Sequence, residues 1–174
     1  MKNEIWAIEL KNQYELKDIG IFPNVSSLAF TNNKLYISSR TKSRIAIIDY
    51  STMGLITEFT TVNKPLAMLL YDKTLYVLGA QNNEIQKINT ANDQVIDTIA
   101  LGTEGFSSGL NAIENTNLAV VTDLKNNLYS ILDLSKGKLL KTYKLNVPIK
   151  SVIITNKVSL FAVSYTHLTL PTNR

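Results

Sequence analysis

A segment of roughly forty residues is repeated along this chain, and that period restricts the possible folds more than any other feature. Leu35-Tyr36-Ile37 returns 40 residues later as Leu75-Tyr76-Val77. Glu9, Asp49 and Asn89 follow one another at the same spacing, and Asp133 comes 44 residues after Asn89. The longer step is assigned to a longer loop and to one extra residue near Asn126-Asn127. The clearest copy holds Leu75-Tyr76-Val77-Leu78, then Ile85-Gln86-Lys87-Ile88-Asn89, then Gln94-Val95-Ile96-Asp97-Thr98-Ile99, with Gln81-Asn82-Asn83 as a polar turn. Such short runs, rich in β-branched and aromatic residues and broken by turn residues, predict strands. No window of helical length carries a 3.6-residue period, so the expected class is all-β.

Taken in order, Ile5–Glu9 and Tyr14–Ile19 match the last two strands of the repeat. Phe22-Pro23-Asn24 reads as a break. Val25–Phe30, Leu35–Ser38, Arg44–Ile48 and Leu55–Phe59 form the first complete copy, and the second starts after Asn63-Lys64-Pro65. A glycine-bearing loop, 102–109, leads to Leu110–Ile113, Leu118–Val121, Leu128–Leu132 and Leu139–Tyr143. After the break at Asn146-Val147-Pro148, Ser151–Ile154 and Leu160–Ala162 open a copy that stays incomplete.

Four short antiparallel strands per forty residues predict the blades of a β-propeller. A lone four-stranded sheet has two faces to bury, and stacking blades side by side buries both. Continuous apolar runs such as Ile45-Ala46-Ile47-Ile48 and Ala119-Val120-Val121 fit strands covered on both faces. The expected fold is therefore an incomplete β-propeller of about three full blades and two partial ones. Its parts are a half blade over 1–21, blades over 22–61, 62–103 and 104–146, and a half blade over 147–162. Residues 163–174 are set apart, because Val163 to Thr172 resembles a translated sequencing-library adapter over ten consecutive residues. The natural segment is then expected to stop near Ala162 and to belong to a longer protein.

The repeat resembles the YVTN (YncE-type) β-propeller repeat. Leu75-Tyr76-Val77 matches its first element, Asn83–Asn89 approximates its second, and Thr90–Ile99 matches its third. Leu78-Gly79 and Asn89 depart from the motif, as does Leu118-Ala119-Val120, which lacks the tyrosine. The resemblance covers about residues 5–162 and implies a longer parent, commonly seven-bladed and often exported or cell-surface in bacteria. It also implies non-catalytic binding or scaffolding through loops. Lactonase-like and quinoprotein dehydrogenase-like propellers keep an enzyme open as an alternative, with catalytic groups outside this segment. A structural surface-layer module is a further alternative.

Composition narrows the chemistry. Hydrophobic residues at 45% and charged residues at 18% are globular values. The absence of cysteine excludes disulfides and thiolate metal sites. Met1–Trp6 lacks the apolar run of a signal peptide, and no stretch approaches the ~18 apolar residues that cross a bilayer. The net charge of +4, or +3 without Arg174, is too small to imply nucleic acid.

Gly105-Phe106-Ser107-Ser108-Gly109 fits G-x-S-x-G, but it lies between strands, and the only histidine, His167, lies in the excluded tail. A loop is the simpler reading, and no catalytic residue, metal or cofactor is assigned. Glu9, Asp49 and Asp133 share one repeat position and are expected to accept backbone hydrogen bonds in a turn. Trp6 is expected in a core or blade interface. The binding candidates are the loops joining second to third strands together with those between blades. They carry Arg40, Lys42, Arg44, Lys64, Gln81, Asn82, Asn83, Asp123 and Lys125, with Lys150 at a strand edge. The expected partner is an acidic ligand or protein patch. No aromatic residues interleave with these cations, which argues against single-stranded nucleic acid. An open propeller also exposes apolar sheet faces, so self-association is expected.

Overall fold

A computed structural model describes residues 2–9, 15–102, 107–146, 149–154 and 159–163. Their strands form five antiparallel sheets. The first pairs β1 (Lys2–Glu9) with β2 (Glu15–Pro23). The second holds β3 (Val25–Thr31), β4 (Lys34–Ser39), β5 (Arg44–Asp49) and β6 (Leu55–Thr60) in that order. The third holds β7 (Pro65–Tyr71), β8 (Thr74–Gly79), β9 (Glu84–Asn89) and β10 (Gln94–Ala100). The fourth holds β11 (Gly109–Ala112), β12 (Leu118–Asp123), β13 (Leu128–Asp133) and β14 (Lys138–Lys144). The fifth pairs β15 (Ile149–Ile154) with β16 (Ser159–Val163).

Each complete sheet is a meander in which the fourth strand faces solvent and the second is buried on both faces. Leu35–Ser39, Leu75–Gly79 and Ala119–Asp123 are buried throughout, whereas most of β6, β10 and β14 is exposed. This gradient explains why second strands are continuously apolar while outer strands intersperse charges. Burying one Leu, Ile or Val side chain contributes about 1.5–3 kcal/mol, so the second and third strands carry most of the stabilisation.

The sheets stack through equivalent residues. Ile5 and Ile19 pack against Leu35, Ile37 and Ile48. One repeat on, Tyr36, Ile45 and Ile47 pack against Leu75, Val77 and Ile88. One further on, Tyr76, Ile85 and Ile99 meet Ala119, Val121 and Leu132. The innermost strands adjoin as well: the Ser26 hydroxyl donates to the Pro65 carbonyl at 2.7 Å, and the Met68 amide donates to Ser27 Oγ at 3.0 Å.

Several expectations are corrected. By register, Gly109 faces Thr122 as Ala67 faces Leu78, so the inner strand of the third complete sheet is only 42 residues on from that of the second. The turns at 40–43, 80–83 and 124–127 have equal length, and no residue is inserted near Asn126-Asn127. The extra length is shared between the segment joining β10 to β11 and the β11–β12 turn, where Ile113 bonds to Leu118 across four residues while Tyr71 pairs with Thr74 across two. The two prolines among the described residues do not interrupt strands but end or begin them: Pro23 is the last residue of β2 and Pro65 the first of β7. At those positions a missing N–H costs little in the ladder. Asn24 alone turns the chain between β2 and β3, with φ of 48°. Trp6 is 54% exposed rather than core. Val147-Pro148 and residues 164–174 lie outside the described residues.

Candidate functional site

The turns after second strands and the segments between sheets form one end of the stack, and their backbones are tied together in the same way each time. Thr61 N donates to Ser43 O, Leu101 N to Asn83 O and Leu145 N to Asn127 O, all at 2.9–3.0 Å. Ser43, Asn83 and Asn127 each end a four-residue turn with φ of 50–56°. This left-handed conformation is tolerated best by short polar side chains, and asparagine takes it readily. Asn24 and Lys64 are likewise left-handed, and their carbonyls accept from Arg40 N and Ala80 N at 3.0 Å.

On this fixed frame Arg40, Lys42, Arg44, Lys64, Gln81, Asn82 and Lys125 are exposed. Arg40, Lys42 and Lys64 form no ion pair among the described residues. Arg44 faces Glu58 at 3.4 Å across two exposed side chains, a pair worth no more than about 1 kcal/mol. Lys42, Arg44 and Glu58 share a cavity of about 560 Å³ with Phe22, Pro23 and Leu55. Asn82 Nδ2 reaches Glu84 at 3.4 Å.

Asn83 and Asp123 are withdrawn from this surface, being only 4% and 5% exposed. Asn83 accepts the hydroxyl of Ser107, and Asp123 accepts the backbone and side-chain N–H groups of Asn126 at 3.0 and 2.7 Å. Burial obliges both to find internal partners, so they shape the loops. Ser107, the centre of the G-x-S-x-G match, is buried and donates to an amide oxygen rather than to a base. Gly105-Phe106, Glu104 and His167 lie outside the described residues, as does the side chain of Lys150.

The opposite end holds the turn acceptors. Asp49 Oδ1 accepts from the hydroxyl and amide of Ser51 at 2.6 and 2.8 Å and from Thr52 N at 3.2 Å. Asn89 accepts from Ala91 N, and Asp133 accepts from the Ser135 hydroxyl and Lys136 N. The Ser51 hydroxyl first, then the amides, holds the Asp49 carboxyl below the usual carboxylate range, and the Ser135 hydroxyl does the same at Asp133. The side chain of Glu9 lies outside the described residues.

The strongest polar cluster at this end was not legible from spacing. Asp93, in the turn before β10, accepts the Tyr36 hydroxyl at 2.7 Å and pairs with Lys34 at 2.7 Å. Tyr36 belongs to the preceding sheet, so the cluster clasps two blades. Tyr76 repeats the contact by donating its hydroxyl to the Leu134 carbonyl at 2.5 Å. Among the described residues, no group of three or more His, Cys, Asp or Glu side chains is gathered as a metal site would require. No helix there is long and apolar enough to cross a membrane.

No protein-family profile and no curated protein sequence matches the chain. Solved structures do match in shape. Dihydro-heme d1 dehydrogenase NirN in complex with DHE is similar over 92% of this chain and 38% of its own, with 14% identity and a TM-score of 0.72. The hydrazine synthase of Kuenenia stuttgartiensis is similar over 71% of this chain and 36% of its own, with 18% identity and a TM-score of 0.62. The WD40 repeats of RRP9 are similar over 78% of this chain and 43% of their own, with 13% identity and a TM-score of 0.64. The chain thus spans less than half the length of each. These likenesses, with three complete four-stranded sheets stacked through equivalent residues, establish the fold as an open, incomplete β-propeller.

Proposed function

We propose that the chain is a non-catalytic binding segment of a YVTN-type propeller, taking an acidic protein or ligand on its loop face. One observation carries this reading. Arg40, Lys42 and Lys64 stand exposed at one end and form no ion pair among the described residues, on backbones pinned by repeated hydrogen bonds. Of the nearby carboxylates, Glu58 faces Arg44, Asp123 is turned inward onto Asn126, and Glu84 receives the Asn82 amide. The surplus positive field of that end is therefore available to a partner. The finer YVTN assignment is supported by Leu75-Tyr76-Val77 and the turn through Thr90–Ile99.

A labelled polyglutamate peptide provides the probe, with binding read by fluorescence anisotropy. The triple variant Arg40→Glu, Lys42→Glu, Lys64→Glu is expected to bind at least about tenfold more weakly. Wild-type affinity is expected to fall as salt rises, since exposed charges are screened within ~10 Å at 0.1 M. An affinity unchanged by the triple variant overturns the proposal.

A further inference from the structure

We propose that the groove between the β1–β2 sheet and the β3–β6 sheet takes an acidic peptide with an apolar side chain beside its carboxylates. The proposal rests on the loop-face reading and names what an acidic partner carries besides charge.

The repeat supplies its own comparison. Where the β3–β6 sheet meets β7–β10, the Thr61 hydroxyl donates to Gln86 Oε1 at 2.7 Å, so a polar pair bridges the two sheets. Gln86 is the third residue of β9, and Ala46 holds the same place in β5. Thr61 is the residue whose amide donates to Ser43 O. In the β1–β2 sheet that place belongs to Phe22, which pairs with Asn3, 40 residues before Ser43. The first junction thus has Phe22 and Ala46 where the second has Thr61 and Gln86. An alanine ends at its Cβ and cannot reach across as the glutamine does. At the third junction Leu101 and Ser130 hold the two places, and both are buried. At the first, Phe22 and Ala46 are only partly buried, and a cavity of about 560 Å³ lies beside them, within the size range of ligand sites.

The walls of this groove are outer strands. β2 holds the fourth-strand position and pairs with β1. Any strand that joined β1 within its blade would add at the edge away from β2, and so away from the groove.

Its lip is cationic. Lys42 and Arg44 line it, whereas the same positions carry Asn82 and Glu84 in the next sheet, and Asn126 and Leu128 in the one after. Phe22, Ala46 and Leu55 supply the apolar wall, and Leu55 is 61% exposed. Apolar wall beside two cations is complementary to an apolar group beside carboxylates. Glu58 marks where such a carboxylate sits, since it faces Arg44 at 3.4 Å. Both partners are exposed, so exchanging this pair for another costs little. An incoming glutamate would meet Arg44 and Lys42, while an adjoining leucine-sized side chain enters between Phe22 and Leu55.

The test uses the full chain and two labelled peptides of equal charge, polyglutamate and polyglutamate with two leucines inserted at its centre. Fluorescence anisotropy is expected to show the leucine-bearing peptide binding at least about tenfold more tightly, as burial of one leucine side chain can supply. Ala46→Gln gives the first junction the side chain that the second already holds, and should bring the ratio of the two affinities to about one. Leu55→Ser, at a position exposed in the fold, should lower the ratio as well. Equal affinity of the unaltered chain for both peptides, or a leucine preference that survives both substitutions, would overturn the groove and leave the charge reading intact. Binding of neither peptide would overturn both readings. Capture of phosphatidylserine vesicles that Ala46→Gln abolishes would assign the groove to lipid and overturn the peptide.

Discussion

The hydroxyl of Tyr36 does more for this molecule than its place in a short motif indicates. Its ring is fully buried, and the hydroxyl reaches Asp93 in the next blade at 2.7 Å. Burial first, then the Asp93 carboxylate, pushes its ionisation well above the ordinary tyrosine value. The neutral phenol is therefore the form the folded state keeps, while an unfolded tyrosine ionises near ~10. The associated stability is complete below about pH 10 and is lost as pH rises beyond it. Tyr36→Phe should cost about 1–2 kcal/mol at pH 7 and make the decline above pH 10 shallower. Urea midpoints at both pH values check this, and an unaltered alkaline slope would contradict it. The slope should not vanish, because burial also raises Tyr76. The tyrosine was legible in the sequence but its partner was not, since Asp93 lies 57 residues away in another repeat. The burial of Asn83 and Asp123 was not legible for a related reason. Polar letters in a turn give no sign of whether a neighbouring segment closes over them.

At the scale of elements, the strands were legible because each combines β-branched runs with turn residues at a fixed spacing. What repeats could not show is where one copy departs from the rest. Gly79, in the departure from the YVTN pattern, ends β8 where Ser39 ends β4 and Asp123 ends β12. Ser39 uses its hydroxyl on the Pro23 carbonyl at 2.6 Å. At Gly79 a Cβ would lie 3.0 Å from Val62 Cβ and 3.3 Å from the Asn63 carbonyl. Val62, itself buried, has taken the space a side chain would need. Gly79→Ala should therefore destabilise by about 1–3 kcal/mol through overpacking, and Val62→Ala in the same chain should recover part of that loss. Denaturant midpoints of the two single variants and the double variant measure the coupling. A single Gly79→Ala variant within about 0.5 kcal/mol of the parent would show that the loop yields freely. Trp6 is the converse case: it is exposed and borders an apolar cavity with Leu28 and Phe30, which no local pattern records.

At the scale of the whole molecule, each sheet contacts chiefly its neighbours, so stability is a sum of blade terms and interface terms. The central sheet β7–β10 contributes to interfaces on both faces, through Leu75, Val77 and Ile88 on one side and Tyr76, Ile85 and Ile99 on the other. The β1–β2 sheet contributes Ile5 and Ile19 to a single cluster. Local opening should follow this asymmetry, because an element with one packed face and a free edge opens at lower cost. Amide exchange by mass spectrometry at neutral pH should find the buried strand β8 slowest. β4 and β12 should follow, then the exposed outer strands β6, β10 and β14, with β1 among the fastest. Protection independent of blade position would mean that the segment unfolds as one unit and that its interfaces do not set the local stability.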